Sequence, residues 1–379
     1  MSNMGKNNRT ILTRSTRWVI KVGTSLLTDT LVGLRKDVVE SLSGEICQLL
    51  NDGMQVVLVS SGSIGEGMRR LGWQQRPSKV HLLQAAAAIG QIGLVHSYEA
   101  AFSKRDVHSA QILLTHADLA SRQRYLNARN TIRELLDLGV VPIVNENDAV
   151  VNEEIRFGDN DTLAALTANL IDAECLILLT DQQGLFDSNP RQSDSAQLVR
   201  HGRADDLSLF GLAGGAGVSG RGGMITKLQA AQQASRSGSY TIIASGQEPS
   251  VLLRLRGGEE MGTLLAPGKE RIAARKQWLA GQLRSSGKLI LDNGAVSVLK
   301  DGGKSLLPVG VTAVEGNFTR GEIVTCLNNT GQEIAYGLIN YNSDEARKII
   351  GMPSQSIERI LGYCGESELI HRDNIAVTA

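Results

Sequence analysis

At 379 residues the chain is long enough for two domains or three, and 42% apolar with 21% charged residues gives it material for a large globular core. Lys+Arg and Asp+Glu are both 39, which excludes the global basicity of a binder of nucleic acid or anionic membrane. Cys47, Cys175, Cys326 and Cys364 lie far apart, with no CxxC and no histidine at ligand spacing, so they read as reduced thiols and not as a disulfide frame or zinc site.

The first 16 residues are polar and basic without an apolar core; they are expected to be a disordered leader, not a signal peptide. No apolar run approaches the ~20 residues of a spanning helix. From Trp18 to about Ser250, short Val-, Ile- and Leu-rich runs alternate with longer helical patterns. "WVIKVG" (18–23), "QVVLVSSG" (55–62), "VVPIVNEND" (140–148), "CLILLTD" (175–181) and "YTIIASG" (240–246) read as buried parallel strands. Between them, "SKVHLLQAAAAIGQIGLVHSYEAAF" and "SRQRYLNARNTIRELLDLG" read as helices, the second ending on Gly139. The alternation predicts an α/β domain over 17–265, an open, mainly parallel sheet sandwiched by helices. After a linker at 266–284, short strand-like runs ("KLILDNGAVSVLK", "EIVTCL", "IAYGLINYN") separated by Gly, Asn and Asp predict a small mostly-β domain over 285–364, then a tail at 365–379.

In an open parallel sheet, ligands collect beyond the carboxyl ends of the strands. Here those ends carry Lys21-Val-Gly-Thr-Ser25, Ser60-Ser-Gly-Ser63, Asn145-Glu-Asn-Asp148 and Thr180-Asp181. Each alone is explained by a helix cap or a turn; four together on one rim point to a site. "RFGDNDTLAA" (156–165) places Asp159, Asn160 and Asp161 ahead of a helix-forming run, as a cap, a metal site or part of a substrate pocket. "GGAGVSGRGGMITKLQAAQQA" (214–234) combines glycines, which free backbone N–H groups, with a helix N-terminus and Lys227, a combination suited to phosphate. Its Gly215–Gly220 matches GxGxxG but follows no strand, so a dinucleotide fingerprint is rejected. "GGKS" (302–305) lacks the first P-loop glycine, Val298 standing there, and reads as a turn.

Lysines, a glycine loop and scattered Asp and Asn fit phosphoryl transfer, where catalysis is positioning plus charge neutralisation. No His or Cys belongs to the rim motifs. A hydroxyl acceptor needs a general base, whereas a carboxylate is already ionised at pH 7; the inventory favours a carboxylate acceptor.

The stretches "VIKVGTSLLT", "VVLVSSGSI", "VVPIVNENDAV", "FGDNDTLAAL", "LLTDQQGLFDSNPR", "GGMITKLQAAQQA", "SLLPVGVTAVEGNFTRGE" and "YNSDEARKIIG" resemble the bacterial glutamate 5-kinases, of the amino-acid kinase family with a C-terminal PUA domain. The resemblance covers nearly the whole chain after the leader. It implies the amino-acid kinase fold and, in the cytoplasm, transfer of the ATP γ-phosphoryl group to the γ-carboxylate of L-glutamate, giving L-glutamyl 5-phosphate, the first step of proline synthesis. By that likeness Lys21 and Lys227 flank the transferring group and Asp161 orients them. Ser61, Asp148 and Asn160 hold glutamate, and Asp159 caps the helix. Lys21, Thr180, Asp181 and the run Arg221, Gly222, Gly223, Met224, Ile225, Thr226, Lys227 hold ATP, with Mg²⁺ on the phosphates and no metal held by the protein itself. The resemblance further implies feedback inhibition by proline and a homo-oligomer, dimer or tetramer.

Two departures stand out. Arg221 replaces a small residue, commonly Thr; its guanidinium contacts phosphate or points to solvent. "SSGSIGEG" replaces the more usual "SSGAIAAG", with consequences expected only for local helix packing. The competing readings are another carboxylate or carbamate kinase of the same fold, and RNA binding through the PUA domain. The second is weaker, because residues 285–363 hold seven basic against eight acidic side chains and phosphate-backbone binding needs a positive excess.

Overall fold

The computed structural model describes residues 9–29, 33–150, 160–190, 192–193, 195–213, 223–268, 285–302 and 304–378. The chain forms two compact units, residues 1–119 with 129–271, and residues 120–128 with 272–379.

In the first unit the strands are β1 (Arg17–Val22), a small hairpin of β2 (Thr28–Asp29) and β3 (Gly33–Leu34), β4 (Gln55–Ser60), β5 (Ser109–Leu114), β6 (Val141–Glu146), β7 (Cys175–Thr180), β8 (His201–Arg203), β9 (Tyr240–Ser245) and β10 (Thr263–Ala266). Among the described residues they build an eight-stranded sheet in the order β5-β6-β4-β1-β7-β9-β10-β8. The first six run parallel; β10 joins antiparallel to β9 and carries β8 with it. The five strands read from the sequence are all present; β5, β8 and β10 are additional. β8 and β10 are only three and four residues long, too short to carry a pattern of their own, and β5 is only partly buried.

Continuous burial of β1, β4, β6, β7 and β9 explains their Val, Ile and Leu content, since both faces are covered. Helix Val80–Ser103 packs closely on helix Ser63–Arg70 through two glycines. A Cβ on Gly67 would stand 1.7 Å from the Ala86 carbonyl oxygen, and one on Gly90 1.8 Å from that of Ser63. Gly139 follows helix Arg122–Asp137 with φ +72°, the left-handed turn expected there. No helix among the described residues is long and apolar enough to cross a membrane.

The chain is ordered earlier than the sequence suggested. Thr10–Arg14 is helical, Leu12 is fully buried, and the Arg9 guanidinium donates to the carbonyls of Glu259, Met261 and Gly262. Two apolar residues, Ile11 and Leu12, in a polar stretch are a weak sequence signal, but both pack on the core that holds Trp18.

In the second unit β11 (Gly287–Leu291), β12 (Val311–Gly316), β13 (Ile323–Leu327), β14 (Glu333–Leu338) and β15 (Ile375–Val377) form a sheet in the order β12-β11-β13-β14-β15. "KLILDNGAVSVLK" was expected to be strand-like throughout; its second half is instead helix Asn293–Gly302, started by Asp292, whose carboxylate accepts from the Ala295 N–H at 2.6 Å. Gly302 of "GGKS" thus ends a helix, and Gly303 lies outside the described residues. The stretch after 364 is no loose tail: Leu369 and Ile370 are fully buried and β15 completes the sheet.

Candidate active site

The parallel register brings the strand ends to one rim. Val22 of β1 lies opposite Ser60 of β4 and Leu179 of β7, and Val59 opposite Val144 of β6. Ser60 and Asn145 therefore stand level beside Val22 and Leu179, and Gly23, Ser61, Glu146 and Thr180 follow side by side. After β1 the chain adds β4 and β6 on one side, then β7 and β9 on the other, so β1 is the point where strand order reverses, the position at which open α/β sheets bind ligands.

Lys21 stands on this central strand. Its Nζ is 2.5 Å from Asp161 Oδ1, and Lys227 Nζ is 3.0 Å from Asp161 Oδ2. Thr226 Oγ1 lies 2.9 Å from the same Oδ2 and 2.8 Å from the Gly223 carbonyl, one hydroxyl proton serving both. Asp161 occupies the first turn of helix Asn160–Leu170, where the helix dipole favours an anion. Lys227 opens helix Met224–Ser235, where the dipole disfavours a cation; Asp161 offsets that cost. The three side chains are 6%, 0% and 5% exposed for Lys21, Asp161 and Lys227. Burial pushes the Asp161 carboxyl up, but the two ammonium groups outweigh it and hold it far below the usual carboxylate range. Two lysines share one carboxylate, so the buried triad keeps one positive charge in excess.

On the β4–β6 side, Asn160 Nδ2 donates to the Ser60 carbonyl at 2.8 Å, to Ser61 Oγ at 3.0 Å and to Asn145 Oδ1 at 2.8 Å. Asn145 Nδ2 donates to Gln91 Oε1 at 2.8 Å. Asp148 accepts from Ser63 Oγ at 3.0 Å. Ser63 stands where the more usual sequence has Ala, so this departure reaches a rim residue and not only helix packing. Of the other two changes there, Gly65 and Glu66, Glu66 is buried and bonded to Arg69 and Arg70. On the β7–β9 side, Thr180 Oγ1 donates to Asp181 Oδ1 at 3.1 Å.

The structure thus joins Lys21, Asp161, Thr226 and Lys227 in one cluster, and Ser61 and Asn160 in a second beside it, Asn160 and Asp161 being adjacent in one helix. Thr180 and Asp181 pair with each other at the neighbouring strand end. Gly223 precedes and Met224 and Ile225 open the Lys227 helix. Asp159, Arg221 and Gly222 lie outside the described residues. Sequence reasoning named Ser63 in a rim motif without giving it a role of its own, and passed over Gln91. The one signal for Gln91 was an amide in an Ala- and Gly-rich stretch of a helix that also carries Gln84. It also placed no histidine at the rim, whereas His116 follows β5 with Nδ1 3.9 Å from Oε2 of Glu146, the last residue of β6.

The model of the amino acid kinase family matches residues 16–245 and that of the PUA domain residues 287–361. A glutamate 5-kinase of Nitrosococcus oceani is 57% identical over 372 residues, 98% of this chain and 99% of that one. One from Chromohalobacter salexigens is 56% identical over 377 residues, 100% of each. Among solved structures, UMP kinase from Bacillus anthracis aligns with a TM-score of 0.49 and 18% identity over 67% of this chain and 97% of that one, too distant to bear on function. The chain belongs to the amino-acid kinase family, with full-length relatives that are glutamate 5-kinases, and it carries a PUA domain after the kinase fold.

Proposed function

We propose that the chain transfers the γ-phosphoryl group of ATP to the γ-carboxylate of L-glutamate, forming L-glutamyl 5-phosphate and ADP, the first step of proline synthesis. The observation that carries this reading is the Lys21–Asp161–Lys227 triad, a buried cluster with one unbalanced positive charge at the reversal point of the sheet. A buried excess cation is costly unless an anion completes it, and a phosphoryl group passing between two oxygens is such an anion.

In the transfer an oxygen of the γ-carboxylate forms a bond to the γ-phosphorus as the bond to the bridging oxygen of ADP breaks. The nucleophile is ionised at neutral pH, so no side chain need take a proton. Charge spreads over the moving group and the leaving oxygen, where preorganised cations act mainly on the transition state. Lys21 reaches the group from the central strand and Lys227 from the helix after the glycine loop; Asp161 holds both ammonium groups without reorganisation. Ser61, Asp148 and Asn160 bind glutamate. Thr180, Asp181 and residues 221–227 bind ATP.

Mg²⁺ arrives as part of the ATP substrate and neutralises its phosphates. Among the described residues no three His, Cys, Asp or Glu side chains gather to hold a metal, and both oxygens of Asp161 face ammonium groups. The same reading carries a cytoplasmic location, inhibition by proline and a dimeric or tetrameric assembly.

The direct test is ATP-dependent hydroxamate formation with glutamate, N-acetylglutamate, aspartate and carbamate. Glutamate should give the highest kcat/KM; preference for any of the other three would overturn the assignment of the acceptor.

A further inference from the structure

The amide network on the β4–β6 side has a fixed direction. The Ser60 carbonyl can only accept, so the Asn160 atom 2.8 Å from it is the nitrogen. The Glu146 backbone N–H can only donate, so the Asn145 atom 2.9 Å from it is the oxygen. These two main-chain anchors orient the Asn160 Nδ2 to Asn145 Oδ1 bond of 2.8 Å that joins them. The other end of Asn145 must then donate, and it meets Gln91 Oε1 at 2.8 Å. Gln91 is only 9% exposed, and its own Nε2 has no partner among the described residues.

An orphaned buried amide nitrogen is unfavourable. Glutamine at 91, on an otherwise small and apolar stretch of helix Val80–Ser103, therefore needs an explanation other than packing. The acceptor it offers Asn145 is that explanation. We propose that Gln91 is a positioning residue: by accepting from Asn145 it holds Asn145 Oδ1 against the Asn160 nitrogen, which the Ser60 carbonyl turns to the protein, and so fixes Oδ1 as the polar atom Asn160 can offer a ligand. Asn160 then accepts only. Ser61, whose oxygen accepts from Asn160 at 3.0 Å, keeps its hydroxyl proton to donate. An acceptor beside a donor matches the ammonium and α-carboxylate of an amino acid, so the relay selects a free amino-acid headgroup. This rests on the reading of Ser61 and Asn160 as glutamate-binding.

The test compares Gln91→Leu and Gln91→Met with Asn160→Ala and with the Gln91→Leu/Asn160→Ala double variant, in steady-state assays with full-length protein and thermal melts alongside. Leu keeps the bulk and removes the acceptor; Met is the second choice should Leu fold poorly. Each Gln91 variant should raise the glutamate KM by on the order of 10-fold, with kcat and the ATP KM changing less than about 2-fold, as expected when one coupled positioning contact is lost. The double variant should have the same glutamate KM as Asn160→Ala alone within about 2-fold, because the relay acts only through Asn160. A Gln91 variant with an unaltered glutamate KM, or multiplying effects in the double variant, would overturn the relay while leaving the substrate assignment standing. If Asn160→Ala itself left the glutamate KM unmoved, the substrate assignment would fall first, and the relay with it.

Discussion

In the first unit Lys21, Ser61, Asn145, Asn160, Asp161 and Lys227 bond to one another at the carboxyl ends of parallel strands. The second unit has uncharged side-chain pairs, Thr325 Oγ1 to Ser285 Oγ at 2.9 Å among them, but several of its buried and half-buried polar side chains turn to the main chain instead. Asn340 Nδ2 donates to the Glu368 carbonyl at 3.1 Å, and Asn342 Oδ1 accepts from the N–H groups of Asp344 and Glu345 at 3.0 and 2.9 Å, in a capping box that starts helix Ser343–Ile349. Its ion pair Arg347–Asp344 lies at the surface, where such a pair contributes about 0–1 kcal/mol. A polar group satisfied by backbone finishes the fold. Polar groups that satisfy one another, with a charge left over, are held for something not yet bound.

That contrast makes predictions of descending size. Asp161→Ala should have the largest effect, because removing one partner leaves two buried ammonium groups uncompensated, a cost of about 3–5 kcal/mol. In this unit that lowers Tm by on the order of 10 °C, and MgATP should restore part of it by supplying anionic partners. An unchanged melting temperature would show that the triad is not under electrostatic tension. The sign of the pH dependence follows from the depressed Asp161 carboxyl. Its contribution to stability is present at every pH above the unfolded value of about 4, and is lost only as pH falls through the lower folded value. Between pH 5 and 8, wild-type stability should therefore show no titration that Asp161→Ala abolishes.

Lys21→Ala or Lys227→Ala should lower kcat by roughly 10²–10³, the scale of one preorganised donor, with a much smaller change in glutamate KM. Lys227→Arg should not fully rescue, since a planar fork does not reproduce a compact ammonium. Near-normal kcat at saturating MgATP would reduce both lysines to helix and strand decoration.

Asp148→Ala should cost about 1.5–3 kcal/mol of glutamate binding, read as a KM for glutamate raised roughly 10- to 100-fold with the KM for ATP nearly constant. Parallel rises in both KM values would mean that the β4–β6 side is not a separate substrate side.

The smallest effect concerns thiols. Cys326 is buried in the second unit and its thiol is pushed up to about 12 by burial, whereas Cys364 is exposed. Native iodoacetamide labelling should modify Cys364 well before Cys326, because the thiolate is the nucleophile. Equal rates would show that the second unit opens readily and that its core is less closed than that of the first.

The sequence by itself determined where chemistry could sit. Continuous apolar runs required buried parallel strands, and polar residues at their ends, with "GDND" and Lys227 nearby, marked the rim before any contact was known. It also determined the two-part organisation, since long helical stretches alternating with continuous apolar runs give way near residue 285 to short runs and turns. It did not reveal β8 or β10, whose few residues become strands only by pairing with a neighbour. It divided the roles of Asp159, Asn160 and Asp161 by likeness alone. Tertiary structure decided that Asp161 meets Lys21 and Lys227, 140 and 66 positions away, that Asn160 reaches Ser60 across 100 positions, and that Ser63 holds Asp148. The physical reason is register. A strand fixes which residues end its run, but only the pairing of strands sets which ends stand level, and a shift of one residue turns every side chain to the other face. The direction of the Gln91–Asn145–Asn160 relay was hidden for the same reason, because an amide can face either way until a carbonyl and an N–H from two different strands dictate which of its atoms donates.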